Sequence, residues 1–384
     1  MQTVASAKST QTSALHFVLC VGSTLVLLGL LFVPAVAPAL LRAEYWAADW
    51  RTAFLSDRLP AAHTGVTIIP VTEASLAGLP YILPINRGYL ADLIGAVDQA
   101  GARAIGLDFY FTRETEQPYD GKLAAALQGA KAKVVLGAFE DRSQPAHLTY
   151  QRRFIADSGA GAGYIDLVPD SDHIVRNRAH AESHAKYQES FSTVLARAAG
   201  WRGSTLPDRI SWLLPPRDGG RTFTEIPAHL FLRAEPEQRR GLVQDRVVII
   251  GGKLFSLDQH WTPLSLRSRE GMSGVDIHAQ MLAELIDGKR SYAELDRSSA
   301  QIFLALLASL AILLGQRFQT RGFDFLDWRV ASFLVIALDL AVFRYFHLML
   351  PFTLAAVAWI AGVTTGTQLR PAISWSKARW RRAA

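Results

Sequence analysis

Long apolar runs near both ends of the 384-residue chain enclose a middle segment of mixed polarity. No charged residue occurs from Ala14 to Leu41, and this run exceeds the roughly 20 residues that cross a bilayer as a helix. Ser298 to Gln316 is also uncharged. Val330 to Leu369 would extend about 60 Å as one helix, twice the thickness of the hydrocarbon, and therefore predicts two spans. The four predicted membrane helices are residues 15–41, 298–316, 330–346 and 348–369.

A cleaved signal peptide is the alternative for the first run, because Ala35-Val36-Ala37 resembles a small-residue cleavage site. The apolar core of a signal peptide has about 7 to 15 residues, and this run is much longer. Pro38 would also follow the cut. We therefore expect an uncleaved membrane anchor.

Four spans place both ends of the chain on the same side of the membrane, and the basic residues indicate which side. Short cytoplasmic segments are rich in Lys and Arg. The opposing short turn has only Arg344. The basic residues of the other side are Lys8, Arg317, Arg321, Arg329, Arg370, Lys377, Arg379, Arg381 and Arg382. We therefore expect cytoplasmic segments at 1–14, 317–329 and 370–384, and an extracytoplasmic segment at 42–297, in a protein of the inner (cytoplasmic) membrane.

The charge of the middle segment argues against nucleic-acid binding. The chain has 40 Lys and Arg and 34 Asp and Glu, but residues 42–300 contain 30 basic and 31 acidic side chains, a net charge of −1. The basic excess therefore belongs to the ends and the membrane flanks. The middle segment lacks the net positive charge that attracts proteins to the phosphates of nucleic acids. The single cysteine, Cys20, lies in the first apolar run, so the middle segment depends on its core and not on disulfides.

Alternating strand and helix patterns predict an α/β domain with a mixed, mainly parallel sheet in the middle segment. The predicted strands are VTIIPV (66–71), AIGLDFYF (104–111), KVVLGAF (133–139) and DRVVIIGG (245–252). The predicted helices are residues 85–102, 119–131, 190–200 and 274–288. Residues 140–185 predict loops and short strands, and residues 201–240 predict short β segments in a Pro- and Arg-rich stretch.

Six short motifs occur in order along this segment. They are Asp49-Trp50-Arg51; Pro84-Ile85-Asn86-Arg87; Gly106-Leu107-Asp108-Phe109; Pro169-Asp170-Ser171-Asp172 with Val175-Arg176; VVIIGG with Asp258 and Thr262-Pro263; and Gly274-Val275-Asp276-Ile277-His278-Ala279. Together with the membrane layout, this set resembles a CHASE domain of the second type, an extracytoplasmic sensory module of bacterial nucleotide cyclases, histidine kinases and serine/threonine kinases.

The resemblance implies one membrane helix before the domain, about three after it, and an effector enzyme beyond the last span. Only 15 residues follow the last predicted span here. We therefore expect a sensor without a catalytic domain of its own, which signals to a separate cytoplasmic or membrane effector of the cyclase or kinase class. Homodimerisation is an expectation that rests on resemblance to sensory receptors.

No enzyme motif occurs: GxSxG, HExxH, the Walker P-loop and GxGxxG are all missing, so we expect no catalytic residue, metal or cofactor. The candidate ligand-binding residues are Arg87, Asp108, Asp170, Asp172, Arg176, Asp258, His260 and His278. Asp258 and His260 follow a predicted strand and are interpreted as loop-capping residues, with ligand binding at the edge where open α/β sheets place ligands as the alternative role. His278 is interpreted as a helix-start residue bonded to a nearby loop, with a ligand or proton carrier as the alternative.

Asp108 ends an apolar strand and needs a cation or a capping role. Arg87 and Arg176 are its candidate partners in an internal ion pair, and an anion-binding ligand site is the alternative. Asp339 lies inside a predicted span, where a carboxylate usually pairs or faces protein. It is expected to contact Arg344 or, alternatively, to dock a partner helix.

The tail after the last predicted span has five basic and no acidic residues, with Trp375 and Trp380 among them. Anionic lipid is its expected partner, at about 1 kcal/mol for each basic residue near the surface. A non-signalling scaffold for an envelope protein assembly is the alternative function for the whole chain. An exported hydrolase is a further and weaker alternative.

Overall fold

The computed structural model describes residues 37–383, except 141–142, 184, 204–206, 255–257, 289–291 and 319–324, and also Gly22 and Gly29. The chain divides into two compact units. The sheet unit is Thr52–Ser291, and the helical unit is Met1–Arg51 with Tyr292–Ala384. The boundary falls within helix α1 (Ala37–Leu55). Most of the predicted first span, 15–41, lies outside the described residues.

A parallel sheet forms the centre of the sheet unit. Its strands are β1 (His63–Val71), β2 (Ala104–Asp108), β3 (Lys133–Ala138), β4 (Gly161–Tyr164), β5 (Phe223–Glu225) and β6 (Val247–Gly252). Their order across the sheet is β4-β3-β2-β6-β1-β5, and every pairing among them is parallel. A short antiparallel pair, β7 (Gln259–His260) and β8 (Met272–Ser273), lies apart from it. The predicted mainly parallel α/β sheet is confirmed.

Helices cover both faces of the sheet. They are α2 (Glu73–Leu76), α3 (Arg87–Gln99), α4 (Gln117–Gly129), α5 (Pro145–Ser158), α6 (Phe191–Ala198), α7 (Ala228–Arg233), α8 (Pro236–Val243), α9 (Ser265–Ser268) and α10 (Gly274–Asp287). One hydrophobic core joins the sheet to α3, α4, α5, α7 and α8, and a second joins it to α6 and α10. Both faces of the strands are therefore buried, which explains their nearly continuous apolar sequences.

Local sequence signals place the helices on these faces. The Asn86 side chain accepts a hydrogen bond from the backbone N–H of Tyr89 and so caps α3, and Ser190 caps α6 in the same way. Gly106 of β2 faces α6, and a Cβ at this position would lie 2.6 Å from both Leu195 and Phe191. A glycine here lets α6 approach the sheet closely.

Two regions differ from the sequence prediction. Residues 140–185 include the 14-residue helix α5, and residues 201–240 include α7 and the first part of α8, whereas only loops and short strands are predicted there. Pro145 occupies the first turn of α5, where its missing N–H costs nothing, so it begins this helix and does not break it. The short strands β4 and β5 do lie in these regions.

Three long helices form most of the described helical unit: α11 (Arg297–Phe318), α12 (Phe325–Phe346) and α13 (Phe352–Ala383). β9 (Ala293–Glu294) and β10 (Leu348–Met349) pair in parallel beside them. Within the part of the chain that the structure describes, Arg297–Gly315 is long and apolar enough to cross a membrane, and Phe352–Thr367 is a shorter apolar segment. The count of four spans stays a prediction. The side chains of Trp375 and Trp380 lie outside the described residues.

Candidate functional site

Four polar residues come together at the carboxyl edge of the sheet, where open α/β sheets place their ligands. Asp108 ends β2, Asp258 and His260 follow β6, and His278 lies in the second turn of α10. We call these four residues the edge cluster. The register of β2 with β6 pairs Asp108 with Gly251, so both strands end at the same level.

Asp258 ties the loop after β6 to the start of α10. Its Oδ2 accepts a hydrogen bond from the backbone N–H of Gly274 at 3.0 Å, and its Oδ1 lies 2.7 Å from His260 Nε2. The backbone of Asp258 is left-handed, with φ of +57°, a conformation that Asp adopts more readily than most residues. Negative charge is stabilised at a helix N-terminus. These contacts support the capping role that the sequence predicts for Asp258.

His278 is almost completely buried, at 2% exposure. Its Nε2 lies 3.9 Å from Asp108 Oδ1, and its Nδ1 lies 3.5 Å from the Ser192 hydroxyl. The edge of its ring packs against Phe191, with ring centroids 5.4 Å apart. His278 also forms a hydrogen bond with the backbone of Ile165, in the loop after β4, which agrees with its predicted bond to a nearby loop. It lies in the second turn of α10 and not at the helix start.

Burial changes the protonation of this pair. Removal from water, and then the negative charge of Asp258, raise the pKa of Asp108 to about 8. Burial lowers the pKa of His278 to about 4, although the charge of Asp258 acts in the opposite direction. At pH 7 both groups are therefore uncharged, and they face each other as a neutral acid and a neutral imidazole. A ligand that brought a charge to this edge would change whether Asp108 or His278 carries a proton.

Tyr110, two residues beyond the end of β2, belongs to the same electrostatic environment. Burial raises its pKa, and the charges of Asp166, Asp108 and Asp258 raise it further. Its ring packs edge-on against Phe139. Tyr110 and Asp166 are not among the predicted site residues, although both lie just beyond the ends of strands, a position like that of Asp108 at the end of β2.

Arg87 does not serve as the cation for Asp108, contrary to the prediction. Its guanidinium pairs with Asp120 at 2.9 Å. It also lies over the rings of Phe111, Tyr150 and Phe154, whose centroids are 5.0 to 5.6 Å from Arg87 Cζ. The carboxylate and the rings fix α3 against α4 and α5, so these contacts support a structural role.

Arg176 is likewise not the partner of Asp108. It is 1% exposed and forms ion pairs with Asp170 at 2.8 Å and Asp172 at 2.7 Å, only six and four residues earlier in the chain. Hydrogen bonds from Arg176 lower the pKa of Asp172. These three predicted site residues therefore form one local ion-pair group that shapes the 170–177 loop. Asp108 has a buried imidazole as its neighbour in place of either arginine.

A second polar group near the carboxyl edge contains no residue selected from the sequence. Lys253 directly follows β6, and its Nζ lies 3.2 Å from Glu225 and 3.0 Å from Asp276. The sequence feature that could have indicated this group is the single Lys that directly follows the buried strand VVIIGG. Within the described residues, no group of three or more His, Cys, Asp or Glu side chains is placed to hold a metal ion.

Asp339 in the helical unit is bound by a residue far away in the sequence. Arg51 Nη1 donates to both of its carboxylate oxygens, at 2.8 and 2.9 Å, and to the carbonyl of Leu350 at 3.1 Å. The sequence pointed to Arg344, on the same helix as Asp339. The observed pairing links α1 to α12, a contact that periodicity does not reveal.

Comparison with known families identifies the domain. The family model described as the CHASE2 domain matches residues 23–315, which is 293 of the 384 residues. CHASE2 domains are extracytoplasmic sensory domains. A comparison with curated proteins and one with solved structures gave no match. The resemblance inferred from the ordered motifs is confirmed, and the chain belongs to the CHASE2 domain family.

Proposed function

We propose that this protein is a membrane-bound sensor whose sheet unit detects a stimulus outside the cytoplasm and whose membrane helices transmit the response to an effector. The observation that carries the proposal is the match to a sensory family over residues 23–315. That range includes Arg297–Gly315, the described helix segment that is long and apolar enough to cross a membrane. The family therefore accounts for the sheet unit and the adjoining membrane segment together.

The proposed arrangement has four spans, both termini in the cytoplasm and residues 42–297 outside it. The nine basic residues of the short segments on one side support this orientation. Cysteine labelling tests it well, because Cys20 is the single natural cysteine. In a Cys20→Ala background, a membrane-impermeant maleimide should label Arg217→Cys, in an exposed turn of the sheet unit, on intact cells. Arg321→Cys should be labelled only after lysis. The reverse pattern would contradict the proposed topology.

The proposed detection site lies at the carboxyl edge of the sheet. A ligand can shift a conformational equilibrium only by binding two arrangements with different affinity. The edge cluster offers a source of such a difference, because it holds an uncharged Asp108 and an uncharged His278 beside the charged Asp258 loop. The ion pair of Arg87 with Asp120, and those of Arg176 with Asp170 and Asp172, favour structural roles for these predicted site residues.

The proposed effector is a protein of the nucleotide cyclase or kinase class, as is usual for CHASE2 sensors, which typically act with cytoplasmic effector domains. Affinity purification of the full chain from its native membranes, followed by mass spectrometry, should recover such an enzyme. The Arg51→Met, Asp339→Leu double variant serves as the matched variant, because it removes both members of the buried pair, and loss of the enzyme from this variant alone would place docking on α12. Recovery of envelope components without any cyclase or kinase would replace the sensor by the scaffold alternative.

A further inference from the structure

A cavity of about 370 Å³ lies in the sheet unit between the edge strand β5 and the start of α10. This volume is at the lower end of the range of about 300 to 1,000 Å³ that is usual for small-molecule sites. Ile68 and Phe223, both almost fully buried, contribute apolar surface to it. We call it the mixed-charge cavity, after the four charged residues that also line it: Arg221, Glu225, Lys253 and Asp276.

The charged residues of this cavity alternate in sign. Lys253 lies between two carboxylates, with Nζ 3.2 Å from Glu225 and 3.0 Å from Asp276. Glu225 also pairs with Arg221, whose side chain is 67% exposed. Burial acts to lower the pKa of Lys253, but the charges of Asp276 and Glu225 outweigh it, so the pKa is raised and the ammonium stays charged.

The formal charge of this group is zero, since two cations face two carboxylates. Entry of an ion of one sign would leave an uncompensated charge in a partly enclosed site, which is costly. A molecule that carries both signs keeps the balance. Its ammonium group could take the place of Lys253 between Glu225 and Asp276, while its carboxylate accepts hydrogen bonds from the displaced Lys253 and from Arg221.

We propose that the mixed-charge cavity binds a small zwitterion of the amino-acid class. Apolar Ile68 and Phe223 would contact the carbon skeleton, and the four charged groups would fix its two ends. The inference rests on the proposed sensory function and names the class of stimulus, which would contact Asp276 on the same helix that carries His278 of the edge cluster. It concerns a different part of the carboxyl edge from the edge cluster, whose residues do not line this cavity.

The test is calorimetric titration of the full-length chain in detergent micelles with the twenty proteinogenic amino acids. Each amino acid that binds is compared with its N-acetyl derivative, which lacks the ammonium, and its carboxamide derivative, which lacks the carboxylate. Both derivatives should bind at least about 30-fold more weakly, because each leaves charged groups of the cavity unpaired. Binding of either derivative as tightly as the parent amino acid would overturn the proposal, as would no binding of any amino acid at about 1 mM.

Two variants should change the ligand preference of the cavity in opposite directions. General destabilisation of the fold would not produce this result. Lys253→Met leaves the cavity with net charge −1 and should bind the carboxamide derivative more tightly than the parent amino acid. Asp276→Asn leaves it with net charge +1 and should favour the N-acetyl derivative. Lys122→Met, which changes an exposed lysine paired with Asp92 outside the cavity, should bind like the unchanged chain.

Unchanged preferences in both cavity variants would refute the assignment of the site. The sensory function would survive that result, because recovery of the effector from native membranes tests it independently. Conversely, a chain that binds amino acids through this cavity but copurifies with no effector would retain the binding site and lose the proposed signalling role.

Discussion

Replacing Asp108 by Asn removes a titrating group that the sheet unit buries beside His278. The ordinary pKa values of the two groups are 3.8 and 6.5, whereas burial moves the pKa of Asp108 up to about 8 and that of His278 down to about 4. The order of the two pKa values is therefore reversed on folding. Asn has nearly the same shape as the protonated Asp108 carboxyl group, so the variant changes the titration with little change in packing.

The size of the effect follows from the proton counts of the folded and unfolded chains. Between about pH 4 and pH 6.5, the unfolded chain holds one proton on His278 and the folded chain holds one on Asp108, so the pair adds no pH dependence. Between pH 6.5 and about pH 8, only the folded chain keeps its proton. One proton corresponds to about 1.36 kcal/mol per pH unit, so the free energy of unfolding falls by about 2 kcal/mol over this interval.

In Asp108→Asn, this fall above pH 6.5 should disappear. His278 then titrates without compensation, and because its pKa is lowered in the folded chain, the free energy of unfolding should decrease as the pH drops from 6.5 toward 4. The total decrease is about 3 kcal/mol. The unchanged chain should therefore lose stability on the alkaline side, and the variant should lose it on the acidic side.

Pulse proteolysis of the full-length chain in detergent micelles, over a urea series at pH 4.5 to about 8.5, measures the fraction of folded sheet unit. Asp92→Asn is the matched control, since its side chain is 57% exposed, and it should follow the unchanged chain. A variant at Asp108 that still loses about 2 kcal/mol above pH 6.5 would show that this carboxyl group is not protonated in the folded protein.

Substitutions test three further contacts elsewhere in the chain. Arg51→Met leaves Asp339 buried without its cation and should cost about 3 to 5 kcal/mol, and adding Asp339→Leu should restore most of the unfolding temperature; no recovery would contradict the pairing. Gly163→Ala places a Cβ 2.6 Å from the backbone nitrogen of Phe191 and should cost about 1 to 3 kcal/mol, read from the urea midpoint, so a neutral result would count against this close approach. Arg176→Ala should cost about 2 kcal/mol by the same assay, and Arg176→Lys should recover only part, whereas full recovery would show that its bidentate geometry is unimportant.

The central strands were predictable because they are buried on both faces. The runs VTIIPV and VVIIGG contain almost no polar residue, which is typical of a parallel strand covered by helices on either side. Helix α5 was not predicted, and its sequence explains the failure. Gln151 occupies a fully buried position on α5, where its amide donates to the Phe139 carbonyl at 2.9 Å and accepts from the Phe139 N–H at 3.2 Å. A polar side chain in a core position interrupts the apolar periodicity that marks a helix.

The location of the candidate site was predictable, but the partners of its residues were not. Asp108 and Asp258 follow buried strands, and parallel strands bring such residues to one edge. Which cation serves which carboxylate depends on loops whose paths the local pattern does not encode. Arg176 pairs with carboxylates of its own loop, but Arg87 pairs with Asp120 on α4, and Asp339 pairs with Arg51, 288 residues away.

The position of β6 in the sheet has a consequence for how the chain folds as it is made. β6 lies between β1 and β2, yet it begins 139 residues after β2 ends. At synthesis rates of about 5 to 20 residues per second, β2 is complete roughly 7 to 28 seconds before the synthesis of β6 begins. During that time β1 and β2 present unpaired, strongly apolar edges, which are the surfaces most prone to joining other chains. Until Val247 to Gly252 is made, the centre of the sheet therefore stays open to pairing with other chains.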